Sequence, residues 1–180
     1  MKIVMIAGSN RRNATSTILV KAMARRLERM QAEVDLFDLA ETPLPFYSPD
    51  ESFASHAGVQ RLNRLMLEAD GIVLATPEYH GSISGVLKNA LDFLGQDHFA
   101  GKPVLSVSSA GGAVGVSSLM QLQTIVRNLH GINCPEWISI GGAQRARYEN
   151  PSDAALDARA EQGLEAFVEL ASKLSNAKVV

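Results

Sequence analysis

The stretch that decides the fold is residues 2–17, KIVMIAGSNRRNATST. Residues 2–7 form a short apolar run with β-branched Ile3, Val4 and Ile6, the composition of a buried parallel strand. A polar loop follows from Gly8 to Thr15. From about residue 16 to 30 the spacing turns helical, with Ile18, Leu19, Ala22, Met23 and Leu27 apolar and Arg25, Arg26, Glu28 and Arg29 mostly outward. Strand, polar loop and helix open a βαβ unit. In an open α/β sheet, ligands lie beyond the carboxyl ends of strands, where adjacent connections diverge. Free N–H groups at a helix start, with the helix dipole, favour a phosphate there. Ser9, Ser16 and Thr17 add hydroxyls, and Arg11 or Arg12 adds charge and bidentate geometry. A plain surface loop with a Ser or Thr cap is the duller reading. Two arginines and four hydroxyls within residues 9–17 weigh against it.

Gly8 stands alone in this loop, so neither a G-x-G-x-x-G pattern nor a Walker Gly-Lys-Ser/Thr is present. A single glycine before a long hydroxyl-rich loop suits a terminal phosphate monoester, which needs a ring of donors. A bridging pyrophosphate needs close glycine approach instead. The loop therefore points to FMN over FAD or NAD.

The alternation continues to the end of the chain. Residues 33–38 alternate as an exposed or edge strand does, and residues 41–52, ETPLPFYSPDES, are too irregular for a helix. A helix is expected near residues 56–68, a central apolar strand at 71–76, a loop at 77–84 and a helix at 85–94. A fourth strand is expected at 103–108, then Gly111, Gly112 and Gly115 and a helix to residue 130. Residues 137–140 read as the fifth strand, GGAQRARYENPSD as a loop and residues 154–174 as the last helix. Five strands alternating with five helices imply right-handed crossovers and a parallel sheet covered on both faces. With no repeat or linker, residues 1–180 read as a single domain.

A chain of 180 residues with 46% apolar and 20% charged residues has ordinary soluble composition. Its net charge of −2 gives no overall attraction to nucleic acid or to an anionic membrane, so any anion site must be local. Cys134 is the lone cysteine, which excludes an intrachain disulfide, a four-cysteine zinc site and a cysteine-ligated cluster within one chain. No metal site is expected. The opening apolar run is too short for a signal peptide, and no stretch nears the ~18 to 20 apolar residues of a bilayer span. A cytoplasmic location is expected.

GSNRRNATS, PEYHGSISGVLKNALDFL and SSAGGAVG together resemble the NADPH-dependent FMN reductases, which include flavodoxin-like quinone, azo and chromate reductases. The resemblance covers about residues 2–130. It implies a flavodoxin-like three-layer sandwich with a five-stranded parallel sheet of order 2-1-3-4-5 and helices on both faces. It places the FMN phosphate on Ser9, Arg11 and Ser16, with Thr17 or Thr15 as further contacts. Pro77-Glu78-Tyr79-His80 would run beside the isoalloxazine ring, with His80 where the family has asparagine, and Ser108, Gly111 and Gly112 would flank its other end. N–H groups of Glu78, Tyr79 or His80 are candidate donors to flavin N5 or O4. His80 is a candidate proton donor, against the plainer reading of a surface histidine, and no acid or base is assigned.

The resemblance further implies an NAD(P)H-dependent oxidoreductase. NADPH or NADH would pass a hydride through bound FMN to a quinone, azo compound, chromate or free flavin by alternation at one site. A homodimer or homotetramer is implied, with Leu44-Pro45-Phe46-Tyr47 as a candidate contact. Arg145 and Arg147, in the loop after the fifth strand, are either solvated charges, the favoured reading, or part of an anion-binding rim. The rivals are a flavodoxin-type electron carrier, commonly far more acidic than this chain, and a binding module that has lost the flavin.

Overall fold

Alternate residues of the first strand face opposite ways, and that splits the interior in two. Ile3 and Met5 pack with Val73, Ala75, Leu105 and Val107 on one side of the sheet, whereas Val4 and Ile6 pack with Ile72, Leu74 and Val104 on the other. The computed structural model describes residues 1–150 and 154–177. Its strands are β1 (Lys2–Ala7), β2 (Glu33–Asp38), β3 (Gly71–Pro77), β4 (Pro103–Ser109), β5 (Ile132–Asn133) and β6 (Ile138–Ile140). All pairings are parallel, in the order β2-β1-β3-β4-β5, with β6 also beside β4. The expected strand order is therefore present.

The helices are α1 (Thr15–Arg29), α2 (Ala57–Glu68), α3 (Gly85–Asp92), the single turn α4 (Gln96–Phe99), α5 (Val116–Asn128) and α6 (Ala158–Ala177). Ile18, Leu19, Met23 and Leu27 of α1 join Leu164, Phe167 and Ala171 of α6 in one core. Leu62 and Met66 of α2, Leu87 and Leu91 of α3, Phe99 of α4 and Leu122 and Val126 of α5 form the other. Each of the larger of these side chains stabilises the fold by roughly 1.5–3 kcal/mol on burial. These two apolar layers leave the carboxyl edge of the sheet to the loops.

The fifth strand differs from expectation. The edge is two short pieces rather than one run at 137–140, because β4 advances from Pro103 to Val107 while its partner advances from Ile132 to Ile138. Two extra residues bulge out between the pieces, where Pro135 has no N–H to give. The last helix starts at Ala158, not 154, because Asp157 accepts from the Ala160 N–H at 2.9 Å and so acts as the cap. The expected loop after the fifth strand contains a 3-10 helix, Gly142–Tyr148, and its residues 151–153 lie outside the described residues.

Among the described residues no helix is long and apolar enough to cross a membrane. Nor do they contain a cluster of metal-ligating side chains. Cys134 is buried in the core beside α6, and desolvation pushes its thiol up to about 12. It therefore stays protonated at neutral pH. We expect native protein at pH 8 to react with less than about a tenth of a thiol equivalent, and unfolded protein with one full equivalent. A rapid native reaction with a chromogenic disulfide would contradict this burial.

Candidate functional site

Three loops leave the carboxyl ends of β1, β3 and β4, which are neighbours in the sheet. The first passes between β3 and α3 at Gly8, whose N–H donates to the Ala75 carbonyl at 2.8 Å. A Cβ at this position would lie 2.4 Å from that oxygen and 2.9 Å from Leu87, so only glycine fits. The Gly8 carbonyl accepts from the Ser84 hydroxyl, which also accepts from the Leu87 N–H at 3.1 Å and so caps α3. The Ser84 N–H donates to Thr76 Oγ1 at the end of β3.

Helix α1 starts without a side-chain cap, since its N-cap residue is Ala14, and its first turn holds no acid. The first intrahelical bond runs from Ile18 N to Ala14 O, which leaves the N–H groups of Thr15, Ser16 and Thr17 ahead of it. Ser16 and Thr17 are 0% and 2% exposed. Among the described residues neither hydroxyl has a hydrogen-bond partner. Ser9, also fully buried, accepts from the Arg11 N–H at 3.1 Å and keeps its own proton to give. Each unsatisfied buried hydroxyl costs about 1–3 kcal/mol. A bound oxyanion would remove that cost, so the residues present fit a phosphate monoester.

The second loop is a tight turn. Tyr79 and Ser82 exchange both N–H···O bonds at 3.0 Å across His80 and Gly81, with φ of 52° and 71°. That geometry needs left-handed backbone at both central positions. Histidine and asparagine are enriched there, which accounts for His80 where asparagine was expected. Gln121 of α5 holds the turn through Gly81 O and Ser82 Oγ.

Two of the three donors anticipated here are already used. The Glu78 N–H donates to Ser109 O at 2.7 Å, and the Tyr79 N–H to Ser82 O. Only the His80 N–H lacks an acceptor among the described residues. Glu78 is not a free carboxylate either. It accepts from the Ser118 N–H at 2.9 Å, capping α5, whose N-cap Gly115 has no side chain to do so.

Just before the third loop, at the end of β4, Ser108 is buried, with its hydroxyl on Gly115 O at 2.8 Å and Ser139 Oγ at 3.1 Å. Its side chain shapes the loop and does not line the pocket. The pocket, about 70 Å³, brings together Arg11, Ala14, Thr15, Pro77, Glu78, Tyr79, Ser109, Ala110, Gly111 and Arg145. Ser9, Ser16 and Thr17 lie buried around its α1 end, while His80 and Gly112 stay exposed outside its lining. Arg12 lines a neighbouring hollow with Lys21 and Asp38. Of the two readings of Arg145, the favoured one, a solvated charge, does not hold: the side chain is half-buried and lines this pocket, where the alternative of an anion-binding rim would put it. The signal was its place in the loop after the last strand, which opens on the same rim.

The sequence profile of the NADPH-dependent FMN reductases matches residues 1–145. An FMN-dependent NADPH-azoreductase of Staphylococcus aureus (strain USA300) is 36% identical over 156 residues, covering 84% of this chain and 83% of that protein. A solved NADH:FMN oxidoreductase, in its apo form, superposes with a TM-score of 0.72 at 25% identity, over 96% of this chain and 89% of that one. A flavodoxin from the domain Archaea superposes with a TM-score of 0.64 at 13% identity, over 97% and 99% of the two chains, and shares the fold.

Glu78→Ala should cost about 1 kcal/mol of stability by urea unfolding, the usual loss for a removed cap. Glu78→Gln, which keeps a neutral acceptor, should lose less than half of that. A loss of turnover in Glu78→Gln with stability intact would show chemistry rather than capping.

Proposed function

The chain belongs to the NADPH-dependent FMN reductases, and we propose that it holds FMN where the three loops meet and uses it to pass reducing equivalents from NADPH to a small acceptor. The observation that carries this reading is the uncapped start of α1, with two buried hydroxyls left unpaired beside a guanidinium-lined pocket. When bound, FMN supplies the chemistry, accepting a hydride from the nicotinamide and handing it on. The protein supplies position.

In this reading Ser9, Arg11, Ser16 and Thr17, with the N–H groups of Thr15 to Thr17, hold the phosphate. Pro77, Glu78 and Tyr79 on one side, and Ser109, Ala110 and Gly111 on the other, form the walls between which the ring enters. The His80 N–H is the unspent donor of its turn. Tyr79, 47% exposed, presents an aromatic face toward solvent at the mouth. Glu78, tied to α5 through one oxygen, is given no general-base role, because hydride transfer to flavin needs none. Such an open mouth suits flat or compact acceptors of several kinds, and we propose quinones, azo compounds, chromate and free flavin as the range. Donor and acceptor would then use the same face in turn.

A cytoplasmic protein of one flavin-binding domain working as a homo-oligomer completes the proposal. Its support is the segment at residues 44–47. Asn89 of α3 pins this segment through Pro45 O and the Tyr47 N–H, and Tyr47 packs edge-on against Phe93. Phe46 is thereby held outward, 90% exposed. Beside it lies a hollow of about 420 Å³ between α3 and α5, lined by Tyr47, Leu91, Leu94 and Ile125. If copies meet here, Phe46→Asp should lower the mass measured by light scattering to that of a monomer. An unchanged assembly would remove this surface from the interface.

The function is tested by stopped-flow mixing of FMN-loaded protein with NADPH and with NADH. We expect flavin absorbance to bleach with no partner protein present, and to return on adding an azo dye or quinone. Flavin that stays oxidised under NADPH would favour an electron carrier. A protein that takes up no FMN would favour a flavin-free module. The Ser16→Ala/Thr17→Ala double variant should bind FMN about 10- to 100-fold more weakly and riboflavin unchanged.

A further inference from the structure

The 3-10 helix Gly142–Tyr148 is seated at both ends. At its start, the Gly142 N–H donates to Gly112 O at 2.7 Å, and a Cβ on Gly141 would lie 2.3 Å from the carbonyl oxygens of Gly112 and Ala113. Its base therefore rests on the loop after β4, which walls the flavin pocket. At its end, Tyr148 is 1% exposed and packed into the core that α1 shares with α6. A 3-10 helix has three residues per turn, so positions i and i+3 eclipse. Arg145 stands three residues before Tyr148 and so shares its side, facing α1, while Arg147 is out of register and exposed.

Arg145 accordingly lines the same small pocket as Ala14 and Thr15 at the start of α1, and as Arg11 from the first loop. Among the described residues neither guanidinium has a hydrogen bond or an ion pair. The one carboxylate in the lining, Glu78, accepts from the Ser118 N–H through Oε2 and forms no ion pair with either guanidinium. The pocket thus gathers two like charges and the start of an uncapped helix, whose next two residues, Ser16 and Thr17, carry unpaired buried hydroxyls. Arg145, half-buried, and Arg11, exposed, outnumber the single carboxylate of the lining, so the hollow keeps a net positive charge that a bound anion would offset. A dianionic phosphate monoester supplies two charges and enough oxygens to engage both guanidiniums as well as the loop donors.

We propose that Arg145 is a phosphate-positioning residue, a second guanidinium that closes the phosphate cradle from the segment after β6. The proposal rests on the phosphate reading of the α1 start. It gives the site a selectivity of its own: flavin bearing the ester gains from Arg145, whereas riboflavin does not. It also makes the Gly142–Tyr148 segment part of the cofactor site, more than a hundred residues along the chain from the loop it serves.

The test compares FMN and riboflavin affinities of the apoprotein, by quenching of flavin fluorescence, in wild type, Arg145→Ala, Arg145→Lys and the Ser16→Ala/Thr17→Ala variant. Thermal unfolding of each apoprotein checks the fold. Arg145→Ala should weaken FMN about 10- to 100-fold with riboflavin within twofold, and Arg145→Lys should recover part of the loss. Inorganic phosphate should compete with FMN more weakly in Arg145→Ala than in wild type. Selective loss of FMN in the Ser16→Ala/Thr17→Ala variant, with Arg145→Ala unchanged, would overturn the role of Arg145 and leave the cradle standing. If neither variant altered the ratio of FMN to riboflavin affinity, the phosphate reading itself would fall. Equal weakening of both flavins by Arg145→Ala would overturn the proposal in favour of a contact to the ring or to the fold.

Discussion

The hydroxyl of Ser84 holds the site together. It donates to the carbonyl of Gly8, accepts from the start of α3, and sits on a backbone whose N–H is bound to the end of β3. One side chain thereby sets the first loop, the third strand and the third helix in fixed relation. Because it is fully surrounded by protein, its bonds face no competition from water and cost the full desolvation penalty if broken. Gly8 makes the arrangement possible by bringing the first loop into contact with the β3 backbone, where a methyl group would not fit. The start of α1 follows from that position.

The polar edge of the sheet is fully committed where rigidity is needed and left unpaired where a ligand belongs. Ser108, Ser139, Glu78 and Gln121 all spend their polar atoms on holding loops and helix ends. Ser16 and Thr17 spend theirs on nothing within the described residues. A ligand that satisfies only the folded state stabilises it in proportion to its affinity and concentration. The apoprotein thus carries a local deficit, and the cofactor would contribute to the fold as well as to the chemistry.

Much of this was legible in residues 2–17, because a strand, a hydroxyl-rich loop and an amphipathic helix each carry a local signature. The central strands were legible too, since burial on both faces demands uninterrupted apolar runs. What escaped were choices made by distant partners. Nothing near Glu78 reveals that it caps a helix beginning at residue 116, and nothing near Ser108 shows that its hydroxyl turns toward Gly115. Arg145 read more readily as a solvated charge than as part of an anion rim because its direction depends on Tyr148 being anchored against α1. The exchange of asparagine for His80 looked like a change of side-chain chemistry, yet the turn asks first for left-handed backbone at that position. The broken fifth strand was missed because Ile132 and Asn133 are too few to show a period, and Pro135 separates them from the rest.

That break has a bearing on how the molecule behaves at high concentration. An uninterrupted strand at the rim of a sheet offers a ladder of free N–H and C=O groups onto which another chain can zip. Here one rim consists of a two-residue piece and a three-residue piece, offset by a bulge and a proline, whereas the other is the unbroken six-residue β2. Neither piece is long enough to template the extended segment from which cross-β stacks grow. At the opposite rim β2 relies instead on the charges of Glu33 and Asp35, which disfavour the approach of another strand.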